Sequence, residues 1–223
     1  MSILWDEIPI HVIDFEGSPQ CGIVEYGVVS LKGAKIERFH TRLCRPKAAI
    51  PRNEQALHRI DAEMAKREDP FLAEWDLFAG LRETGPLAAH FASAENSMLK
   101  SAFPYPRLSP DWVRPSQKIA LWGPWLDTGG LYRDFGDDGT SLKLEDLVLR
   151  HELQDDLDAL AEKCCPSDRC GYHCALYDAL ASALLLINYS QELCDERPSL
   201  RQLVACSQGS AEKRQEVEQQ RLF

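Results

Sequence analysis

Three stretches near the N-terminus, residues 10–16, 22–31 and 35–44, alternate apolar and polar positions with the two-residue period of a strand. GIVEYGVVSL is rich in β-branched residues, and Lys-Gly at 32–33 supplies a tight turn into KIERFHTRL, so a β-meander is expected. The period then lengthens. In PFLAEWDLFAGLRETG (70–85), Phe71, Leu72, Trp75, Phe78 and Leu81 recur at helical spacing, and Gly85 stops the run. GPLAAHF (85–91) reads as a short buried strand, followed by a helix SAENSMLKSAF with Ser93 at its N-cap. FPYPRLSPDWVRP (103–115) is a proline-rich connection, and KIALWGPWLDT (118–128) returns to strand. SLKLEDLVLRHEL is an amphipathic helix. After a cysteine-rich loop, HCALYDALASALLLINYS is long and apolar enough for a core helix. The order βββαβαβαα predicts an α/β domain over residues 1–206, with a mixed central sheet and helices on both faces. A polar tail occupies 207–223.

Composition narrows the function classes. At 223 residues and 44% hydrophobic content the chain can bury a sizeable core. No apolar run approaches the roughly 20 residues of a membrane helix. The opening MSILWDEIPI lacks a basic stretch and a clean apolar segment, so no secretory signal is expected. The eight cysteines then read as reduced thiols of a cytoplasmic protein. A net charge of −10 argues against a nucleic-acid coat protein but leaves an enzyme acting on nucleic acid open. Basic residues gather between 32 and 67, among them Arg38, Arg42, Lys47 and Arg59, while acids collect in EDLVLRHELQDDLDALAE.

The chemistry starts from HVIDFEGSP. Residues two apart on a strand share a face, so Asp14 and Glu16 point together while Phe15 enters the opposite layer. Buried and unpaired, the two carboxylates repel; a divalent cation removes the repulsion, and hard oxygen ligands select Mg²⁺ or Mn²⁺ over zinc. A solvent-facing strand is the other reading of the pair. Gly17 leaves room for a ligand to approach. Glu95 falls in the first turn of a helix, where it serves either the helix dipole or a metal. Asp178 lies inside an apolar helix, where an unpartnered acid is expensive. His173 precedes it by five residues, about 140° away on an ideal helix. Gly171 just upstream assigns His173 to the lead-in loop, leaning over the site.

DFEGS, AHFASAENSMLK and YHCALYDALA, in that order, resemble the three motifs of the DnaQ-like (DEDDh) 3′–5′ exonucleases. ALHRID (56–61) is similar to that family's HGI loop, and LWGPWLDT resembles its fourth-motif strand; the likeness spans residues 10 to 190. The resemblance implies a ribonuclease H-like fold and metal-dependent hydrolysis of phosphodiester bonds from the 3′ end of single-stranded DNA or RNA; DNA is favoured on the ground of the tail described below. It implies Asp14, Glu16, Glu95 and Asp178 as ligands of two divalent cations, Mg²⁺ or Mn²⁺, and His173 as general base. Phe15, Gly17, Leu57, His58 and Ile60 would surround the terminal nucleotide. Two positions depart from the pattern: Glu95 stands where the family has Asp, and Arg59 replaces the glycine of the HGI loop.

Two further readings stand beside that resemblance. Cys165, Cys170, His173 and Cys174 could ligate zinc, which would make the chain a zinc-stabilised or non-catalytic nucleic-acid-binding module. In the tail, Gln219, Leu222 and Phe223 resemble the Gln-x-x-Leu-Phe peptides with which bacterial DNA enzymes dock on the sliding clamp.

Overall fold

The structure, a computed structural model, describes residues 2–135, 141–194 and 196–208. The meander forms as the alternation dictates: β1 (Ile10–Ser18), β2 (Gly22–Lys32) and β3 (Lys35–Leu43) pair antiparallel, with Ile10 opposite Leu31 and Glu16 opposite Glu25. Gly33 takes the left-handed turn between β2 and β3 at φ 57°. β4 (Leu87–Ala89) runs parallel to β1. A ribbon of β5 (Ser109–Pro110) and β6 (Lys118–Ile119) stands apart, and β7 (Trp125–Asp127) returns parallel to β4. The main sheet therefore reads β3-β2-β1-β4-β7, the mixed ribonuclease H-like arrangement.

Strand parity sorts the core into two layers. The even positions Ile10 and Val12 join Val29, Leu31, Ala88 and Leu126 under the long helix Ala175–Glu192. The odd positions Ile13 and Phe15 face an aromatic cluster of Tyr26, Phe71, Phe78, Phe103 and Trp122. Each such side chain contributes about 1.5–3 kcal/mol on burial.

The helices in chain order are α1 (Arg52–His58), α2 (Trp75–Thr84, entered through a 3₁₀ turn at Phe71–Glu74), α3 (Ser93–Ala102), α4 (Thr128–Leu131), α5 (Leu144–Arg150), α6 (Gln154–Cys164), α7 (Ala175–Glu192) and α8 (Leu200–Ser207). Four of these, α1, α4, α6 and α8, go beyond the pattern-based expectation. Helix α6 escapes it because only Leu157 and Ala161 turn inward from an otherwise acidic surface. Ser93 lies inside α3; the N-cap position is Ala92, without a side-chain cap. Residues 118–128 do not form one strand. Pro124 has no N–H to donate, and the neighbouring Gly123 carbonyl accepts instead from the buried guanidinium of Arg82 at 2.7 and 3.1 Å.

Candidate active site

On β1 the α7-facing positions change from apolar Ile10 and Val12 to Asp14 and Glu16. That face is covered by the N-terminal end of α7, which lies unusually close to β2. A Cβ built on Gly27 would stand 2.2 Å from the Ala175 carbonyl oxygen, so only glycine permits the approach. The contact lowers Asp178, in the first turn of α7, onto the two β1 carboxylates. His173 adopts a left-handed backbone at φ 64° just before the helix, and its amide donates to Asp178 Oδ2 at 3.0 Å. One side-chain atom from each of Glu16, His173 and Asp178 lies within 4.8 Å of the others, with the His173 ring exposed above two buried acids. Glu95 is buried in the first turn of α3, which starts where β4 ends. Glu16, His173 and Asp178 thus meet at the end of β1, while Asp14 and Glu95 stand outside that ligand-spaced group but near enough for their charges to act within the corner.

The electrostatics of this corner are unfavourable to four bare charges. Burial pushes Asp14 well above the usual carboxylate range, and the charges of Asp178, Glu16 and Glu95 push it further. Burial, then Asp178, raises Glu16 to about 8. Glu95 rises to about 8 through burial and the charge of Asp127. Asp178 rises to about 7 through burial, partly offset by the bond from the His173 amide. Glu95 Oε2 and Asp178 Oδ1 are buried and find no hydrogen-bond partner among the described residues. An all-oxygen set that is crowded, buried and partly unpartnered fits a hard divalent cation.

Two residues outside the expected set complete the corner. Glu25, opposite Glu16 on β2, is 3% exposed and forms a buried ion pair with Arg169, which is 5% exposed. Arg169 Nε donates to Glu25 Oε1 at 2.9 Å. Strand parity is the signal that could have found Glu25, which shares the α7-facing side of β2 with Gly27, Val29 and Leu31.

The residues expected around a terminal nucleotide separate. Leu57 is 51% exposed, whereas His58 and Ile60 are buried, Ile60 against Cys21, Val24 and Ile50. His58 Nδ1 accepts from the Ile60 amide at 3.1 Å, and burial, then the Arg169 charge, lowers its pKa. Arg59 sits between them at φ 59°, the left-handed region glycine occupies freely, and its amide caps α1 through Gln55 O. Phe15 packs edge-on against Phe71 in the aromatic layer, on the face away from the acids. Gly17 has a local reason for being glycine, in place of the ligand approach expected from sequence. At φ 122° an added Cβ would meet the Gly22 carbonyl at 2.2 Å.

His90 is structural, its Nε2 donating to Leu142 O at 2.8 Å while Nδ1 contacts Thr128 Oγ1 at 3.0 Å. Asp127 accepts from the Phe91 and Gly130 amides and so ties the end of β7 to the turn before α3. The zinc arrangement is not assembled: His173 joins Glu16 and Asp178 instead. Among the described residues no group of three drawn from Cys165, Cys170, His173 and Cys174 reaches metal-ligand spacing. Gln219, Leu222 and Phe223 lie outside the described residues.

The fold is that of the DEDDh-type 3′-exonucleases within the ribonuclease H-like class. Exonuclease X in complex with 5′ overhanging duplex DNA superposes with a TM-score of 0.62 at 22% identity, over 87% of this chain and 99% of the other. The nuclease domain of 3′hExo, a DEDDh family member bound to rAMP, gives 0.59 at 19% identity over 86% and 96%. E. coli Exonuclease I in complex with a dT13 oligonucleotide gives 0.59 at 11% identity, covering 83% of this chain and 41% of the other. No family model and no curated protein matches the sequence.

Proposed function

We propose that the chain is a metal-dependent 3′–5′ exonuclease, with Asp14, Glu16, Glu95 and Asp178 as its metal ligands. The observation that carries the reading is the grouping of Glu16, Asp178 and the exposed His173, with Asp14 and Glu95 near enough that burial and mutual repulsion raise the acids together. These oxygens would hold Mg²⁺ or Mn²⁺, which would supply positive charge to a scissile phosphate and its leaving 3′ oxygen. His173, exposed beside Glu16 and Asp178, accepts the proton of the attacking water. Its left-handed backbone holds the imidazole outside α7, on the solvent side of the acids. Leu57, exposed beside the buried pair His58 and Ile60, offers an apolar surface to the last base.

Single-stranded 3′ ends are the substrate class, with DNA favoured. Basic residues along β3 and the following loop, including Arg38 and Lys47, give an acidic protein a local attraction for the phosphate backbone. The DNA preference rests on the tail, whose Gln219, Leu222 and Phe223 form a clamp-binding peptide that would hold the enzyme at DNA ends. A peptide of residues 211–223 should bind a bacterial sliding clamp, and Leu222→Ala with Phe223→Ala should abolish that binding. A peptide that does not bind removes this partner.

The deciding experiment uses 5′-labelled single-stranded DNA and RNA with Mg²⁺, Mn²⁺ or chelator. A ladder shortening one nucleotide at a time from the 3′ end, absent in chelator, is expected. Internal cleavage, or activity that survives chelation, would sink the reading.

A further inference from the structure

We propose that Arg169, braced by Glu25, is a positioning residue that couples the base-contacting loop at 57–60 to the histidine-bearing loop at 171–174. The proposal rests on the exonuclease reading of the site and concerns residues that touch neither metal nor substrate.

Geometry argues for it. The Arg169 guanidinium makes four directed bonds to three segments of the chain. Nε and Nη2 donate to the two oxygens of Glu25 at 2.9 and 2.5 Å. Nη1 donates to the His58 carbonyl at 2.6 Å, and Nη2 also reaches the His173 carbonyl at 3.2 Å. Glu25 Oε2 accepts as well from the Ala175 amide at 2.9 Å, at the first residue of α7. One buried pair therefore holds the end of α1, the turn carrying His173, the start of α7 and the strand opposite Glu16.

Stability alone does not account for such a device. Burying a guanidinium and a carboxylate costs several kcal/mol in desolvation, and an apolar replacement of the same volume is often as stable. Directed bonds to two carbonyls bring something an apolar pair cannot: fixed relative placement of two loops distant in sequence. Both bonded residues matter for this. His58 ends α1 and adjoins left-handed Arg59 just past Leu57, and His173 is itself left-handed. Beyond α1 at Arg59, and ahead of α7 at His173, the chain runs outside helix and strand. Lysine keeps the charge but is a point donor and cannot reproduce the planar fork.

Arg169→Lys is the first test, measured as kcat and KM on single-stranded DNA, alone and combined with His173→Ala. Misplacing a reacting group by about 1 Å costs on the order of 10²-fold, so a loss of that order in kcat is expected. In the His173→Ala background the same substitution should cost far less, because its effect passes through the missing ring. Hydrogen exchange supplies a readout independent of activity. The amides of 59–60 and 173–174 should lose protection together while the interior of α7 keeps it. If Arg169→Lys does not fold, the double substitution Glu25→Gln with Arg169→Gln removes both charges and should show the same dependence on His173. Unchanged kcat and protection, equal losses with and without His173, uniform loss of protection, or failure of both variants to fold would each overturn the proposal. Absence of nuclease activity in the wild-type protein would fell the exonuclease reading instead, and the exchange experiment would still decide whether the loops are coupled.

Discussion

Removing divalent metal should make the protein less stable as pH rises through neutrality. Glu16 moves from an ordinary value of 4.5 to about 8, and Asp178 from 3.8 to about 7. Both values are raised, so the fold favours the protonated acids. Their stabilising effect is complete below the unfolded values and is lost as pH climbs through the folded ones. Several histidines act in the opposite sense: His11 is lowered to about 4 by burial, and His58 and His90 are also lowered. Their contribution grows as pH rises towards the ordinary histidine value and is then level. The informative window is therefore above about pH 6.5, where an unfolded histidine is already mostly neutral. Between there and about pH 8, Glu16 alone loses about 1.5 kcal/mol and Asp178 somewhat less, at about 1.4 kcal/mol per pKa step. The two acids repel each other, so their penalties overlap, and about 2 kcal/mol is expected from this pair, or a fall in Tm of about 4–8 °C for a domain of this size, with raised Glu95 and Asp14 acting in the same direction. Thermal unfolding followed by circular dichroism, in chelator and in saturating Mn²⁺, measures it. Metal should raise Tm and flatten the slope, and Glu16→Gln should flatten it without metal. A chelated wild-type protein whose Tm holds steady or rises over this window would refute the reasoning, as would a slope undiminished from wild type in both Glu16→Gln and Asp178→Asn.

Three other outcomes are expected. His173→Ala should lower the rate by about 10²–10⁴-fold yet leave Mn²⁺ binding by calorimetry intact; loss of binding would make the ring a ligand rather than a base. Gly27→Ala should cost about 1–3 kcal/mol in urea unfolding by displacing α7, and should depress turnover through Asp178. A variant of wild-type stability and rate would contradict the close approach. Glu95→Asp should reduce activity, because the shorter carboxylate withdraws from a site built around the longer one; equal or higher activity would show that the extra methylene is not needed.

The acids were readable in the chain because strand parity and helix position are local properties. Asp14 and Glu16 share a face by the two-residue period alone, and Gly171 put His173 outside the helix. Glu25 obeyed the same parity but was hidden inside a segment that reads simply as an alternating strand. Arg169 had no local signal at all. It lies in a cysteine-rich loop, and its partner stands 144 residues away, a pairing only the folded chain creates. Gly17 misled for a related reason: a glycine beside two acids suggests room for a ligand, while the space is filled by the chain's own Gly22 carbonyl.

The central strand has an evolutionary consequence. β1 is third of five in the sheet and bonds to β2 along its whole length, so its acids stand on backbone that has little freedom to move them apart. Their frustration can be discharged only by a proton, a cation or a substitution. Replacing any one of them with a neutral side chain therefore relaxes the fold while it erodes catalysis, and drift in a lineage released from selection for cleavage would run downhill in free energy. If the proposed function holds, descendants of this scaffold that merely grip nucleic-acid ends should be the sturdier proteins, and a full set of four carboxylates would mark activity still under selection.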